Sequence, residues 1–214
     1  DALAYNTYTT AYNTNMAANE CFLDSATLRE NVVALARNIG YVPRSRRSAR
    51  ARISFVVDGL VDTSTLTLNS GIVCNGVGEN TSFIFSIPED ITIPVTNGVA
   101  EFNNIEIYEG SFITQTFTVD TSLFNQRYIL DNSFIDTSTI KVKVKSSSSA
   151  TSSVTHKQID NIVGVTSTSN SYLLQEIEDE RYELIFGDNV IGKKLSNNNV
   201  ITVSYVVTEG KDGN

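Results

Sequence analysis

The chain has 214 residues and a formal net charge of −8, with 41% hydrophobic and 19% charged residues. This length and composition support a sizeable hydrophobic core and exclude an extensively disordered protein. No apolar run approaches the ~20 residues that span a bilayer, and "DALAYNTYTT" lacks the features of a signal peptide, so we expect no membrane partner. The two distant cysteines favour a reducing compartment. Because the chain starts with Asp and stops in a turn-like segment, we expect a fragment of a longer protein.

The first predicted helix covers residues 3–23. Bulky side chains recur there mostly at every fourth position, which is typical of a helix. Tyr8, Tyr12 and Met16 form an aromatic and apolar stripe, which is a candidate interface with another protein. Packing of the same stripe against the chain's own β-domain is an equally supported alternative, because either contact would bury an apolar face.

The second predicted helix covers residues 26–39 and has clearer signals. Thr27 and Glu30 fit the capping box at a helix start, and apolar residues follow at helical spacing. Gly40 suits the left-handed position after the last turn, and Pro43 prevents the helix from continuing.

After Pro43 the apolar period changes from helical to two, which predicts strands. The first predicted strand covers residues 49–57, and Asn97-Gly98 is a strong hairpin-turn signal between two later ones. Many short strands with regular polar turns favour an antiparallel sandwich or a barrel-like body. Further strands are predicted at 64–68, 83–87, 91–95, 99–107, 112–120, 127–131 and 139–145.

A composition change marks the predicted boundary between two β-rich parts. The run "SSSSATSS" at 146–153 holds six serines and cannot build a core, so 146–158 is predicted to be a loop or linker. The predicted fold class is α+β, with N-terminal helices, a mainly antiparallel β-domain and a smaller β-rich C-terminal part. The corresponding segments are a helical segment 1–43, a central domain 44–145, the linker, and a C-terminal domain 159–214.

Two sequence features could indicate a phosphate-binding or catalytic site, and in both cases the surrounding residues argue against it. "GDNVIGKK" places Gly187, Gly192 and Lys193 as in a phosphate-binding loop, but Lys194 replaces the required Ser or Thr and a strand pattern follows instead of a helix. Paired turns explain both glycines. His156 is the only histidine, and we interpret it as a solvated loop residue. We therefore expect no catalytic residue, metal, cofactor or small-molecule substrate, and no enzyme activity.

The arginines of residues 44–52 form the strongest charge feature: Arg44, Arg46, Arg47, Arg50 and Arg52. They contribute +5, so the rest of the chain must carry −13 to give the net −8. Nucleic acid binding would predict a wider basic surface with interleaved aromatic residues, and a solvated face is the ordinary alternative. We favour a protein interface, because a positive strip on an acidic molecule complements carboxylates on a neighbouring protomer.

Three segments, in the same order, resemble blocks of the baseplate-J-like family, and in particular its baseplate wedge subunits from T-even-type contractile-tailed phages. They are "FLDSATLRENVVALARNIGYVPRSRRSARARISF", "RYILDNSFIDTSTIKVKV" and "YELIFGDNVIGKKLSNNNVITVSY". Asn189 departs from the commoner F-G-D-G form of the last block, but Asn tolerates the left-handed conformation and preserves a turn.

The resemblance implies a structural virion protein of the tail baseplate, assembled in the bacterial cytoplasm. Its partners would be other copies of itself and other wedge proteins, in a ring that rearranges on sheath contraction. The alternative is a host-recognition or glycan-binding β-module, which should expose aromatic residues at loop tips; the tips visible in the sequence are Asn, Asp, Ser and Gly.

Overall fold

A computed structural model describes residues 1–38, 45–77 and 82–210. In chain order the elements are α1 (Ala2–Glu20), α2 (Arg29–Asn38), β1 (Arg50–Val57), β2 (Thr65–Leu68), β3 (Gly71–Val77), β4 (Ser82–Ile87), β5 (Ile91–Pro94), β6 (Ala100–Glu109), β7 (Ser111–Thr118), β8 (Tyr128–Leu130), β9 (Ile135–Lys145), β10 (Ser153–Gln158), β11 (Ser171–Glu176), β12 (Tyr182–Phe186) and β13 (Val200–Val207), with a 3-10 turn at Glu178–Glu180.

The α+β prediction is wrong, because the described residues form thirteen strands and two α-helices. Both predicted helices exist, and they are the two helices of the described residues. They belong to one compact unit, and the three sheets belong to another. The protein is therefore mainly β, and its two N-terminal helices do not change that class.

The three sheets differ in size. A four-stranded sheet has the order β1-β6-β4-β3, a seven-stranded sheet has the order β7-β13-β9-β10-β11-β12-β8, and β2 pairs with β5. Pairing is antiparallel except between β10 and β11 among the registers resolved. Asn97 and Gly98, with φ of 52° and 75°, form the turn before β6.

The smaller C-terminal part does not exist as a separate body. Strand β13 lies between β7 and β9, so the end of the chain completes the central sheet. The serine-rich run is the turn of the β9–β10 hairpin, in which Ser153 pairs with Lys145. Strands on both sides of the predicted linker thus share one sheet. The "TIKVKVK" pattern at the end of β9 alternates lysines with buried apolar residues and would suit a half-buried edge strand, but β9 is an interior strand of the sheet.

The main core lies within the seven-stranded sheet. Alternate residues of β9 and β13 point into it, which follows from the period of two in their sequences. Its fully buried members include Val142, Ile201, Val203 and Tyr205, all 0% exposed. The complete buried cluster also contains Val119, Leu130, Ile135, Ile140, Val144, Tyr172, Tyr182 and Leu184.

The two outer strands of this sheet, β7 and β8, are joined by side chains, so the sheet is nearly closed. Gln115 of β7 donates to the Ile129 carbonyl at 3.1 Å and accepts from the Asp131 amide at 3.2 Å. Gln126 donates to the Thr118 carbonyl at 2.8 Å. The two glutamines replace the missing ladder bonds between edge strands.

Candidate interaction surfaces

The arginine-rich segment leads into β1 and divides into engaged and free side chains. Arg46 stacks on the Phe134 ring, with its guanidinium carbon 3.7 Å from the ring centre, and lies 3.6 Å from Glu180. Arg50 donates to Ser138 at 2.9 Å and lies 5.0 Å from the Tyr108 ring centre. These contacts fix the two guanidinium groups against the protein's own surface.

Arg47 and Arg52 are exposed, and their side chains have no ion pair, hydrogen bond or ring contact to any residue that the structure describes. Their charges are therefore the most available to a partner. Arg44 and Gly40 lie outside the described residues. The five arginines are equivalent candidates in the sequence, and only the tertiary contacts separate the two free guanidinium groups from the two that already have partners.

A buried carboxylate holds this segment in place. Asp136 is 0% exposed and accepts from the amide and hydroxyl of Ser48 at 3.0 and 2.6 Å. It also accepts from the amide and hydroxyl of Ser138 at 3.0 and 2.6 Å. Four donors on one carboxylate compensate its burial and pin the chain just before β1. This contact could not be predicted from the sequence, because Ser48 and Asp136 are 88 residues apart.

Strand β1 is an outer strand of the four-stranded sheet and pairs only with β6 among the described strands. Its exposure alternates, with Arg50, Arg52, Ser54 and Val56 exposed. The opposite face packs inward, where Phe55 stacks on Phe102 of β6 with ring centres 4.8 Å apart. Arg50 and Arg52 therefore project from the solvent-exposed face of an edge strand.

The α1 stripe is uncovered. No residue of α1 is buried, and Tyr8 and Tyr12 are 70% and 56% exposed. Tyr5, 73% exposed, extends the same stripe by three residues toward the N-terminus. Residues 2–19 contain no charged side chain. A long uncharged helix with a row of exposed tyrosines is suited to contact with another protein surface.

The start of α2 is capped differently from the prediction. The Glu20 carboxylate, at the end of α1, accepts from the amide and hydroxyl of Thr27 at 2.9 and 2.7 Å and from Asn31 at 2.8 Å. These hydrogen bonds, led by that from Asn31, lower the pKa of Glu20 to about 2. Glu20 thus does the work that the capping box assigned to Glu30, and it links the two helices.

One exposed aromatic residue escaped the sequence analysis. Phe124 is 100% exposed at the tip of the loop between β7 and β8, and Leu123 beside it is 56% exposed. The same loop borders a cleft of about 470 Å³ whose polar lining includes Asn125, Arg127 and Glu183. The sequence does indicate this exposed pair: in "SLFNQ", two adjacent apolar residues lie between a turn and a strand and do not fit an alternating strand pattern.

The cleft contains a strong ion pair. Arg127 donates to both carboxylate oxygens of Glu183, at 2.8 and 2.6 Å. This two-point contact lowers the pKa of Glu183. Because Arg127 and Glu183 neutralise each other, this part of the cleft wall is polar but carries little net charge.

The loop that mimics a phosphate site is filled by its own side chains. Asp188 accepts from two backbone amides of the loop at 2.8 and 2.9 Å, and Asn189, with φ of 73°, accepts from a third at 2.9 Å. A Cβ on Gly187 would lie 2.2 Å from the Gly192 backbone, and Gly192 has a φ of 79°, so both positions favour glycine. The amides that a phosphate would require are occupied.

His156 is not a solvated loop residue, and that interpretation is wrong. It lies in β10, is 6% exposed, and its ring meets Phe186 edge-on at 5.7 Å. Nδ1 is 3.3 Å from the Val154 carbonyl, and Nε2 has no partner among the described residues. Burial, with a smaller effect from the Lys193 charge, lowers the pKa of His156. The serine-rich neighbourhood hid this strand.

The described residues show neither a metal-binding cluster nor a membrane-spanning helix. No group of three or more His, Cys, Asp or Glu residues is arranged to hold a metal ion. Of the helices in the described ranges, none combines the length and hydropathy of a membrane-spanning segment.

No family model matches the chain. The chain is similar to the baseplate wedge protein gp6 of Enterobacteria phage T4, with 25% identity over 232 aligned residues. The match covers 100% of this chain and 34% of the relative, so the chain spans about a third of the length of the curated relative that it matches. The resemblance to wedge proteins has this support, whereas membership of the baseplate-J-like family stays a prediction.

Proposed function

We propose that this chain is a structural part of a phage tail baseplate wedge and acts by binding neighbouring wedge proteins and other copies of itself. The observation that carries the proposal is the similarity to a wedge protein along the whole chain. Its place would be the virion tail, after assembly in the bacterial cytoplasm. The role is mechanical and not catalytic.

Two surfaces support a role in assembly. The free guanidinium groups of Arg47 and Arg52 offer charge to acidic partners, and the tyrosine stripe of α1 offers uncharged aromatic area. Added salt screens the charged contacts, which also depend on the direction of approach, whereas it has less effect on the uncharged aromatic contacts. A ring that rearranges on sheath contraction requires joints whose two states differ by a modest free energy, and directional charged contacts suit that requirement.

The test is co-expression with the other wedge proteins encoded by the same phage, followed by size-exclusion chromatography with light scattering. We expect a complex that contains this chain. Changing Arg47→Gln together with Arg52→Gln should weaken the complex about two- to tenfold, since each exposed ion pair contributes a small favourable energy. The matched control removes the same charge elsewhere, at the exposed Lys157 and Lys193. No complex with any wedge protein would contradict the proposal.

A glycan-binding role is the second candidate, because Phe124 is a fully exposed aromatic ring beside a polar cleft. Sugars stack on such rings and hydrogen-bond to adjacent polar walls. A glycan array with the purified chain tests this role. Binding that is lost in Phe124→Ala, and kept in a control at the 85% exposed Val163, would favour it over assembly.

A further inference from the structure

The backbone of β1 has an open side, and the register identifies which residues face it. Ala49 accepts from the Glu109 amide at 2.8 Å, which makes this opposed pair a hydrogen-bonded one. Opposed pairs in an antiparallel ladder alternate between bonded and non-bonded. Ala51 and Ile53, which oppose Ile107 and Ile105, therefore bond to β6.

The backbone groups of Arg50 and Arg52 consequently point away from β6, toward the open edge. One step earlier, the outward amide of Ser48 is taken by Asp136 at 3.0 Å. The outward amide of Ser48 is thus already hydrogen-bonded, and Arg50 is the first residue whose outward backbone groups are available to another strand. The register shift between Ile53 and Phe55 ends this regular stretch at its other side.

The two open positions are also the positions that carry arginine. A strand added at this edge would place its own residues directly opposite Arg50 and Arg52, in hydrogen-bonded pairs with side chains on the same face. A second copy of β1 in this place would bring arginine next to arginine, which is unfavourable. The charges of the edge therefore reject self-pairing and favour carboxylates at every second residue of the incoming strand.

We propose that the β1 edge accepts an extended acidic segment of a different protein chain, with Glu or Asp at alternate positions, as an added antiparallel strand. This inference rests on the proposed function and specifies one partner chemistry for it. Main-chain hydrogen bonds to Arg50 and Arg52 supply affinity, and the guanidinium groups select the sequence. Arg52 contributes the free charge, while Arg50 is held beside the edge by Ser138 and Tyr108.

The test uses the whole chain and a short fluorescein-labelled peptide of alternating valine and glutamate. We expect saturable binding by fluorescence anisotropy, weakened by salt, and none with lysine in place of glutamate. Arg52→Gln should weaken binding about two- to fivefold, whereas Arg47→Gln, which removes the same charge before the open edge, should have a smaller effect. Arg52→Glu should reverse the preference toward the lysine peptide. Circular dichroism checks that each variant is folded.

Two readouts separate strand addition from simple charge attraction. Methylating the peptide amides keeps its charge but removes main-chain donors, so affinity should fall about tenfold or more. By nuclear magnetic resonance, the amides of Arg50 and Arg52 should gain exchange protection on binding, and those of Ala51 and Ile53 should change little. Equal affinity of the methylated peptide, or protection that avoids β1, would overturn the proposal.

The result of the peptide-binding experiment is independent of the result of the wedge assembly test. If the glutamate peptide does not bind while the chain still co-elutes with wedge proteins, the strand-addition inference is wrong and the proposed function stands. If the peptide binds at β1 but no wedge protein does, the edge chemistry is correct and the proposed function is wrong.

Discussion

At the residue scale, Glu20 is the clearest case of a side chain whose charge supports local structure. Its carboxylate lies at the N-terminal end of α2, where unpaired amides and the helix dipole favour an anion. The contacts come from residues 7 to 11 positions later in the chain, so the two helices are coupled through one ionised group.

The first prediction concerns this cap. The pKa of Glu20 is about 2 in the folded protein, against an ordinary 4.5, so its stabilising effect is complete above pH 4.5 and is lost as the pH falls toward 2. Glu20→Gln should remove this pH dependence, measured through the Thr27 and Leu28 amide signals, and lower the helicity of α2, measured by circular dichroism. Glu30→Gln, which removes a charge from the first turn of α2, is the matched control. An equal loss in both variants would contradict a specific cap.

The second prediction concerns His156. Burial lowers its pKa below the ordinary 6.5, so the unfolded chain binds a proton more readily than the folded one. Stability is therefore full above pH 6.5 and decreases as the pH falls below it, until the folded state also titrates. His156→Phe keeps an aromatic ring against Phe186 and should flatten the profile. Denaturant unfolding between pH 7.5 and pH 5, in roughly half-unit steps, measures the difference; identical slopes in both proteins would refute it.

At the scale of single elements, the sequence predicts most of the strands, because alternation reports which face is buried. β1, β2, β4 and β5 lie within one residue of their predicted bounds, whereas β9 begins at Ile135, four residues before its predicted start. β3 was missed, since "GIVCNGV" reads as a turn. A Cβ at its Gly76 would lie 2.8 Å from the Phe85 ring of the paired strand, so a larger residue there would require that ring to move. β10 was missed because a largely exposed, polar strand has no apolar alternation to detect.

The third prediction tests the α1 stripe. Because Tyr8 and Tyr12 are exposed, changing both to Ala should alter the free energy of unfolding by no more than about 0.5 kcal/mol per site. The same change should reduce association with copies or wedge proteins, since exposed tyrosines are effective interface anchors. Leu3→Ala is the control, because Leu3 is 82% exposed on another side of the helix. Analytical ultracentrifugation measures association, and an unchanged sedimentation profile of the mixture would count against the stripe.

At the scale of the whole chain, the sequence could not show which strands are neighbours. β13 pairs with β7 and β9, whose sequence positions lie more than fifty residues earlier. Local patterns specify that a strand exists, but the pairing is decided by the core that it completes. The separate C-terminal part was inferred from the serine run alone. Likewise, the charge segregation was visible in the sequence, whereas the division between free and engaged arginines depends on Phe134, Ser138 and Tyr108, all distant in sequence.

The fourth prediction follows from the closure of the seven-stranded sheet. Gln115 makes hydrogen bonds to Ile129 and Asp131 across the seam and accepts from the buried Tyr205 hydroxyl at 3.2 Å. Gln115→Ala removes these hydrogen bonds, while the Tyr205 hydroxyl keeps Asn132 as an acceptor at 2.7 Å. The change should therefore cost about 1 kcal/mol of unfolding free energy. Gln158→Ala, at an exposed site on β10, should cost less than about 0.5 kcal/mol.

Hydrogen exchange distinguishes a local loss from opening of the seam. If the glutamine side chain holds β7 against β8, the amides of β8 should lose more exchange protection in Gln115→Ala than the amides of β9 and β13. The last two strands keep ladder partners on both sides. A uniform loss of amide protection across all strands would contradict this prediction. It would mean that core packing, and not the Gln115 side chain, keeps the sheet closed. The aromatic contact between Phe117 and Tyr128, with ring centres 5.7 Å apart across the same seam, would then be sufficient for closure.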